Sequence, residues 1–200
     1  DWSSDVCSSD LSPKANDDLR IERGSIIRVS ATAKGGWAIA QWPEAQGAFV
    51  SMDPATGRVR ALVGGFDFNR QPFNHVTQAW RQPGSSFKPL LYSAALEQGV
   101  QPATVINDAP LTIGDWSPQN SDGRFDGPLT LRQALARSKN LVSVRLLQQI
   151  GVARARQWAG RFGLDVAKQP DNLTLALGAG SVTPLQIDRK STRLNSSHEW

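Results

Sequence analysis

The first third of the chain alternates apolar and polar residues, a pattern typical of β-strands. Residues 19–43 alternate in this way and break at Gly35-Gly36, which predicts a β-hairpin or the last strands of a small β-domain. Residues 46–65 predict two further strands joined by a turn at 54–57, where proline fixes φ and glycine accepts a positive φ. The pattern therefore predicts a β-rich beginning.

From residue 86 onward the apolar pattern becomes helical. Apolar residues three and four positions apart predict four helices, three of which stop at a glycine. The predicted helices span residues 86–98, 130–137, 141–150 and 152–162. Residues 101–128 are rich in Pro, Gly, Asn and Asp and predict a long ordered loop, and Thr183-Pro184 predicts a last helix that is cut off at Ile187. Strands followed by a helical cluster favour an α+β fold.

Both ends of the chain differ from the rest of the sequence. Residues 1–11 and 188–200 are serine-rich and have no apolar period. One DNA strand can encode residues 188–197 while its reverse complement encodes residues 1–10, and this DNA resembles a short-read sequencing adapter. Two unrelated polar tails would not be complementary in this way. We therefore predict that both ends are adapter-like artefacts and leave them out of the fold prediction.

The composition is that of an ordinary globular protein. Of 200 residues, 40% are hydrophobic and 20% charged, which excludes wholesale disorder. With one cysteine and two distant histidines, we expect no disulfide, metal or cofactor. The net charge of +4 comes from scattered bases rather than a basic run, which disfavours a nucleic-acid partner. No apolar run reaches the roughly 18 residues of a membrane helix, and no signal peptide is visible.

A serine and a lysine three positions apart, Ser85 and Lys88, are the first candidates for chemistry. Pro89 is tolerated only in a first helical turn, so the helix is predicted to begin at about Ser86 with Ser85 as its N-cap. Lys88 then lies at the third helical position, where the helix dipole disfavours a cation and lowers the pKa of the amine. Burial would lower this pKa further, and a neutral lysine can act as general base for a neighbouring hydroxyl. A backbone N–H at the start of the helix can help to hold an oxyanion.

Neither this pattern nor a second one, Ser138-Lys139-Asn140, is specific by itself. A chain of this composition contains about 0.6 Ser-x-x-Lys and about 0.8 Ser-x-Asn patterns by chance. Ser85 as a plain cap and Lys88 as a solvated charge therefore stay open at this point. So does a purely structural role for Ser138 or Asn140 as the cap of helix 141–150.

Longer segments carry a resemblance that the short patterns do not. RQPGSSFKPLLYSAALEQG (81–99) is similar to the active-site serine segment of the penicillin-binding proteins. Six other segments resemble the bifunctional class A group of that family, in particular its 1A type. They are GRVRALVGGFDFNRQPFNHVTQAWRQPG (57–84), INDAP (106–110), WSPQN (116–120), LRQALARSKNLVSVRLLQQIG (131–151), RFG (161–163) and LALGAGSVTPLQ (175–186). The resemblance covers residues 20–187, nearly all of the chain between its two ends.

The resemblance implies an α+β penicilloyl-serine transferase fold of the β-lactamase/transpeptidase type. Residues 12–43 would be the end of a small OB-like β-domain and a linker. Residues 44–187 would be part of a transpeptidase domain, with the first strands of its central sheet and its helical subdomain. The implied activity is that of a serine D-alanyl-D-alanine transpeptidase that cross-links peptidoglycan.

The same resemblance assigns roles to single residues. Ser85 would be the acylated nucleophile and Lys88 its proton acceptor. Ser138 would relay the proton to the departing D-alanine amine, and Asn140 would hydrogen-bond the amide of the donor peptide. Trp116 and Asn120 would border the cleft. The implied partners are peptidoglycan stem peptides and the β-lactams that imitate them.

The family's third motif, Lys-Thr/Ser-Gly on a downstream strand, does not occur after Asn140 in this sequence. We therefore expect an inactive fragment of a membrane-anchored parent on the periplasmic face of the inner membrane, with a glycosyltransferase domain upstream. One alternative is a serine β-lactamase or D,D-carboxypeptidase on the same fold, although residues 141–187 lack the Glu-x-x-x-Asn spacing of class A lactamases. Another is a catalytically silent penicillin-binding sensor domain, against which the presence of both short motifs argues.

The catalytic interpretation makes a geometric prediction. Nothing local requires Ser138 to approach Ser85 and Lys88. If the three transfer protons, Ser85 Oγ, Lys88 Nζ and Ser138 Oγ should lie near hydrogen-bond distance, about 2.6–3.2 Å or somewhat longer without substrate. Lys88 should then be buried, with Asn140 turned toward the same cleft.

Overall fold

The computed structural model describes residues 24–40 and 45–189. The chain divides after Ala45 into two compact units, each of which is described by itself. The two predicted adapter-like ends lie outside the described residues, apart from residues 188 and 189. Within the described ranges, no helix combines the length and the apolar character needed to cross a membrane.

A two-stranded hairpin forms the described part of the first unit. Strand β1 (Val29–Ala31) pairs antiparallel with strand β2 (Trp37–Ile39). The hydroxyl of Thr32 accepts a hydrogen bond from the N–H of Gly36 at 3.0 Å, and Gly35 takes the positive φ of +81° that this tight turn requires. The predicted hairpin is confirmed, and its place in an OB-like domain stays a prediction.

A second antiparallel pair opens the larger unit. Strand β3 (Phe49–Met52) pairs with strand β4 (Val59–Val63), and the register shifts between Ser51 and Met52. Asp53 closes the turn between them, because its carboxylate accepts N–H groups of the turn and forms an ion pair of 2.6 Å with Arg60. The two strands predicted within residues 46–65 are thereby confirmed.

Four helices follow, as the apolar spacing predicts. They are α1 (Lys88–Glu97), α2 (Leu131–Ala136), α3 (Asn140–Ile150) and α4 (Val152–Arg161). α3 is the central helix, because seven of its eleven residues are buried. Two buried pairs of neighbours, Leu141-Val142 and Leu146-Leu147, show that it is covered on more than one side. α1 packs against both α3 and α4, which places its first turn beside the start of α3.

The segment 101–128 is not the uninterrupted loop that its composition predicts. It contains strand β5 (Val105–Asp108), which pairs antiparallel with strand β6 (Gly127–Thr130). β5 has only two apolar residues, and its partner begins with Gly-Pro, so neither shows a local strand pattern. α2 begins directly after β6, with its N-cap Thr130 in a reciprocal capping box with Gln133.

The start of α1 differs in detail from the prediction. A 3-10 turn, Gly84–Phe87, precedes the α-helix, and its N-cap is Pro83 without a side-chain hydrogen bond. Ser85 therefore lies inside this turn and is not the N-cap, and Lys88 is the first residue of α1 instead of the third. The pattern Pro-Gly-Ser-Ser did not reveal the tighter turn, because 3-10 and α-helical starts use the same residues.

A last helix begins where Thr183-Pro184 predicts it. Thr183 and Gln186 form a capping box, with the Gln186 N–H donating to Thr183 Oγ1 at 3.3 Å and the Thr183 N–H donating to Gln186 Oε1 at 3.0 Å. The helix covers residues 184–189 and so continues past Ile187, where the sequence predicted its end.

Candidate active site

Lys88 lies at the centre of a cluster of polar groups that come from distant parts of the chain. Its side chain is 1% exposed. Nζ donates to the carbonyl oxygen of Ser138 at 2.5 Å, to Ser138 Oγ at 3.0 Å and to Asn140 Oδ1 at 2.7 Å. α1 supplies the lysine, and the turn between α2 and α3 supplies its three acceptors. The structure thus brings together Lys88, Ser138 and Asn140.

The surroundings of Lys88 destabilise its charged form. Burial lowers the pKa of the amine from its ordinary value of 10.5 to about 8. The physical cause is the loss of water around a charged ammonium, because the acceptors that face Nζ are a carbonyl, a hydroxyl and an amide, and none of them is a carboxylate. A lysine with this pKa can accept a proton near neutral pH.

Ser85 lies one turn before Lys88 and is exposed. Its carbonyl oxygen accepts the backbone N–H of Lys88. Among the hydrogen bonds of the described residues, none joins Ser85 Oγ to Lys88 Nζ or to Ser138 Oγ. The expected proximity is therefore present for Lys88 and Ser138, whereas the hydroxyl of Ser85 is accessible and unengaged.

The turn that carries Ser85 rests directly on another backbone segment. The N–H of Gly84 donates to the carbonyl oxygen of Gly178 at 3.3 Å, and Gly178 has a φ of +69°. A Cβ at Gly178 would lie 2.1 Å from the oxygen of Gly84, so that only glycine fits. The backbones of Arg81 and Val182 exchange hydrogen bonds of 2.9 Å beside this contact. The position of Ser85 is therefore set by the segment 178–182 behind it.

Ser138 ends α2 in an unusual backbone conformation. It has a φ of +54°, and it is the one residue other than glycine with a positive φ among the described residues. Its N–H donates to Leu135 O at 3.0 Å, and the N–H of Lys139 donates to Ala134 O at 2.9 Å. These two bonds define a Schellman motif, in which the position with positive φ is usually glycine. Serine adds the hydroxyl that meets Lys88 at this point.

Asn140 is the first residue of α3, and both polar atoms of its side chain are hydrogen-bonded. Oδ1 accepts from Lys88 Nζ, and Nδ2 donates to the carbonyl oxygen of Gln119 at 2.8 Å. Neither Ser138 nor Asn140 caps α3 with its side chain. The N-cap is Lys139, which makes no side-chain cap hydrogen bond. The local alternative, a simple cap, does not describe either residue.

Asn120 supplies the missing cap from a distant loop. Its Oδ1 accepts the N–H of Asn140 at 2.8 Å and that of Leu141 at 3.3 Å. Its Nδ2 donates to Asp108 Oδ1 at 2.8 Å and to Arg124 O at 2.7 Å. Asn120 is 5% exposed, and its expected place at the border of the cleft stays a prediction. Its hydrogen bonds support the start of α3.

Trp116 is half-buried and packs against the hydrophobic core. Its backbone exchanges hydrogen bonds with Ile113 at 2.9 and 3.1 Å, which closes a short turn of the 101–128 segment. This placement agrees with a loop-packing residue, and contact with substrate stays a prediction.

Lys139 is the residue of this region to which the sequence analysis assigned no role. Its ammonium is 2% exposed and lies among the carboxylates of Asp108, Asp122 and Asp126 at 3.4, 3.0 and 3.0 Å. Burial opposes the charged form, but these carboxylates outweigh it and hold the pKa of Lys139 above its ordinary value. Three of the four aspartates within the polar segment 101–128 were the available signal, although nothing in the sequence shows that they converge. Among the described residues, no group of His, Cys, Asp and Glu is placed to hold a metal ion.

The chain is similar to a known family of proteins. The family described as penicillin binding protein transpeptidase domain matches residues 47–193. Penicillin-binding protein 1A of Neisseria lactamica is 53% identical over 175 residues, which are 84% of this chain and 22% of that protein. The chain thus spans about a fifth of the length of this relative.

Solved structures of penicillin-binding proteins are also similar to this chain. The crystal structure of penicillin-binding protein 1A from Haemophilus influenzae has a TM-score of 0.74 and 38% identity, and covers 83% of this chain and 26% of that one. PonA1 from Mycobacterium tuberculosis, in complex with penicillin V, has a TM-score of 0.63 and 28% identity, over 72% of this chain and 43% of that one. The expected α+β fold and the expected resemblance are confirmed: the chain belongs to the penicillin-binding protein transpeptidase family.

Proposed function

We propose that Ser85 is the acylated nucleophile of a penicillin-binding serine D-alanyl-D-alanine transpeptidase that cross-links peptidoglycan. The observation that supports this best is the buried amine of Lys88, bonded to residues 50 and 52 positions away in the sequence. A solvated lysine and two helix caps would have no reason to converge. The family membership and the complex of PonA1 with penicillin V support a β-lactam as a ligand of this site.

The hydrogen bonds of Lys88 suit a base. A neutral amine has two N–H donors and one lone pair, and the carbonyl of Ser138 and Oδ1 of Asn140 accept the two donors. The lone pair then takes the place of the third N–H, which faces Ser138 Oγ in the structure, and it can accept a proton. The contact of 3.0 Å between Lys88 Nζ and Ser138 Oγ can carry a proton in either direction, because a hydroxyl both donates and accepts.

Acylation follows from these positions. Ser85 Oγ forms a bond to the carbonyl carbon of the penultimate D-alanine while its proton passes to Lys88 Nζ. The backbone N–H of Ser85, at the start of the 3-10 turn, helps to hold the oxyanion. The C–N bond to the terminal D-alanine then breaks, and the leaving nitrogen takes a proton from Ser138 Oγ. Lys88 Nζ passes the proton that it received from Ser85 on to Ser138 Oγ. Ser85 closes to Lys88 only when substrate binds, since catalytic hydrogen bonds are often long without it.

The remaining residues act around this core. Asn140 orients Lys88 and bonds the amide of the donor peptide by moving its Oδ1 or Nδ2 from its present partners. Asn120 acts from behind by fixing the first turn of α3. Trp116 borders the cleft from the 101–128 segment.

The setting of this activity belongs to the proposal. The full-length gene product containing this chain is membrane-anchored on the periplasmic face of the inner membrane, carries an upstream glycosyltransferase domain, and acts on peptidoglycan stem peptides. The 200-residue chain has no Lys-Thr/Ser-Gly motif after Asn140, and so lacks groups that bind the substrate carboxylate and complete the oxyanion site. We expect this chain to be inactive by itself.

Fluorescent penicillin tests the proposal. The full-length protein should be labelled stably, Ser85→Ala should abolish the label, and Ser86→Ala, the neighbouring serine, should keep it. The 200-residue chain should be labelled weakly or not at all. Labelling of the Ser85→Ala variant would refute the assignment of Ser85 as the nucleophile. Rapid release of the label with turnover of the β-lactam would instead favour a β-lactamase, and no label on the wild type would favour a silent domain.

A further inference from the structure

The residue between Ser138 and Asn140 faces away from the proposed active site. Lys139 enters a separate buried cluster, formed by Asp108 at the end of β5, Asp122 in the following loop and Asp126 just before β6. We call these four residues the ionic anchor. The ammonium of Lys139 also donates to the carbonyl oxygen of Arg124 at 3.4 Å. The anchor therefore joins the turn before α3 to three places along the 101–130 segment.

The anchor is built to hold one cation in one place. Asp108 is fully buried, and both of its carboxylate oxygens accept further hydrogen bonds. Oδ1 accepts from Asn120, and Oδ2 accepts the N–H of Asp126 at 3.0 Å. Asp126 also binds Arg137 at 3.1 Å. Asp122 is half-exposed. A buried charge with several hydrogen-bonded partners is costly to displace, because any new position would leave charges unpaired.

The anchor acts on a strained turn. Ser138 has a φ of +54°, which a residue with a Cβ keeps only where its surroundings determine it. Lys139 is the next residue, so its fixed side chain limits where the Ser138 carbonyl and hydroxyl can lie. Asn140 follows, and Asn120 connects its N–H to Asp108 of the anchor. Two independent links thus run from Asp108 to the turn that holds Lys88.

We propose that Lys139 is a positioning residue: its buried ammonium, held by Asp108, Asp122 and Asp126, keeps the 138–140 turn where Ser138 and Asn140 meet Lys88. The inference rests on the proposed function, because acylation of Ser85 is its readout. Lys139 itself touches neither the substrate nor Lys88. Its loss should therefore slow the acylation step without removing the nucleophile or its base.

The test is the rate of acylation by penicillin in the full-length protein. Lys139→Met should lower the first-order rate at saturating penicillin about 10- to 100-fold, since a misplacement of about 1 Å has effects of this size. The penicillin concentration at half-saturation should change much less. Lys34→Met, the same substitution at an exposed site in the first unit, should match the wild type. A merely structural role would lower the labelled fraction but leave the rate of the labelled protein unchanged.

Milder variants cover the case in which Lys139→Met does not fold. Asp122→Asn and Asp126→Asn keep the cation and its buried partner Asp108, and each should slow acylation about threefold to tenfold with full labelling. Asp171→Asn, at an exposed position, is their control. Rates of folded anchor variants within twofold of the wild type would overturn the inference. Label on Ser85→Ala would instead overturn the proposed function, so the two failures are distinguishable.

Discussion

The contact between Gly178 and Gly84 makes a strong prediction for a single methyl group. Gly178→Ala places a Cβ 2.1 Å from the oxygen, 2.7 Å from the carbonyl carbon and 2.8 Å from the nitrogen of Gly84. All three are backbone atoms, so no side chain can rotate away. The two segments must therefore separate at the turn that carries Ser85.

The size of the effect follows from two contributions. Alanine at a φ of +69° costs about 1 kcal/mol relative to glycine. Separation of the segments weakens three backbone hydrogen bonds, the one between Gly84 and Gly178 and the two between Arg81 and Val182. Each bond contributes about 1 kcal/mol, so their partial loss adds about 2 kcal/mol. The total of about 3 kcal/mol is a large share of the roughly 5–15 kcal/mol that stabilises a domain.

Gly163→Ala is the matched control. Gly163 has a φ of +88°, and a Cβ there meets nothing within 4 Å, so only the conformational cost of about 1 kcal/mol applies. Urea unfolding of the 200-residue chain, followed by tryptophan fluorescence, measures both variants. In the full-length protein, Gly178→Ala should also slow penicillin acylation, whereas Gly163→Ala should not. Equal destabilisation by the two substitutions would refute the argument from the close contact.

Two further predictions concern the pKa of Lys88 and the cap of α3. Because burial lowers the pKa of Lys88 to about 8 and only the neutral amine accepts a proton, acylation of the full-length protein should rise about tenfold per pH unit below pH 8 and level off above it; a rate independent of pH between 6 and 8 would contradict this. Asn120→Leu should destabilise the chain by about 2 kcal/mol, because it removes the acceptor of two N–H groups and one of the hydrogen bonds to the buried Asp108. Asn172→Leu, which removes an exposed cap, should cost about 1 kcal/mol in the same denaturation assay.

Elements with local signals could be predicted from the sequence. The β3–β4 hairpin follows from alternation and an Asp-Pro turn, and α2 follows from the spacing of its apolar residues. α3 and α4 end at the glycines that the pattern indicated, or one or two residues before them. In each case the information lies within a few residues of the element.

The parts that could not be predicted depend on partners distant in sequence. β5 becomes a strand only because β6, about twenty residues later, pairs with it. The cap of α3 comes from Asn120, and the partners of Lys139 come from three positions upstream. The approach of Ser138 to Lys88 was expected from resemblance and chemistry, since no local pattern requires it. The cleft positions of Trp116 and Asn120 come from the resemblance alone and stay predictions.

The residue at position 138 must meet two requirements that conflict. The Schellman motif at the end of α2 is best satisfied by glycine, which would adopt this conformation without the strain of about 1–2 kcal/mol that a Cβ introduces. The contact with Lys88 requires a hydroxyl, which glycine lacks. Selection for folding and selection for chemistry therefore favour different residues at this position. A search for stabilising substitutions guided by stability alone would replace Ser138 with glycine and discard the hydroxyl that meets the lysine.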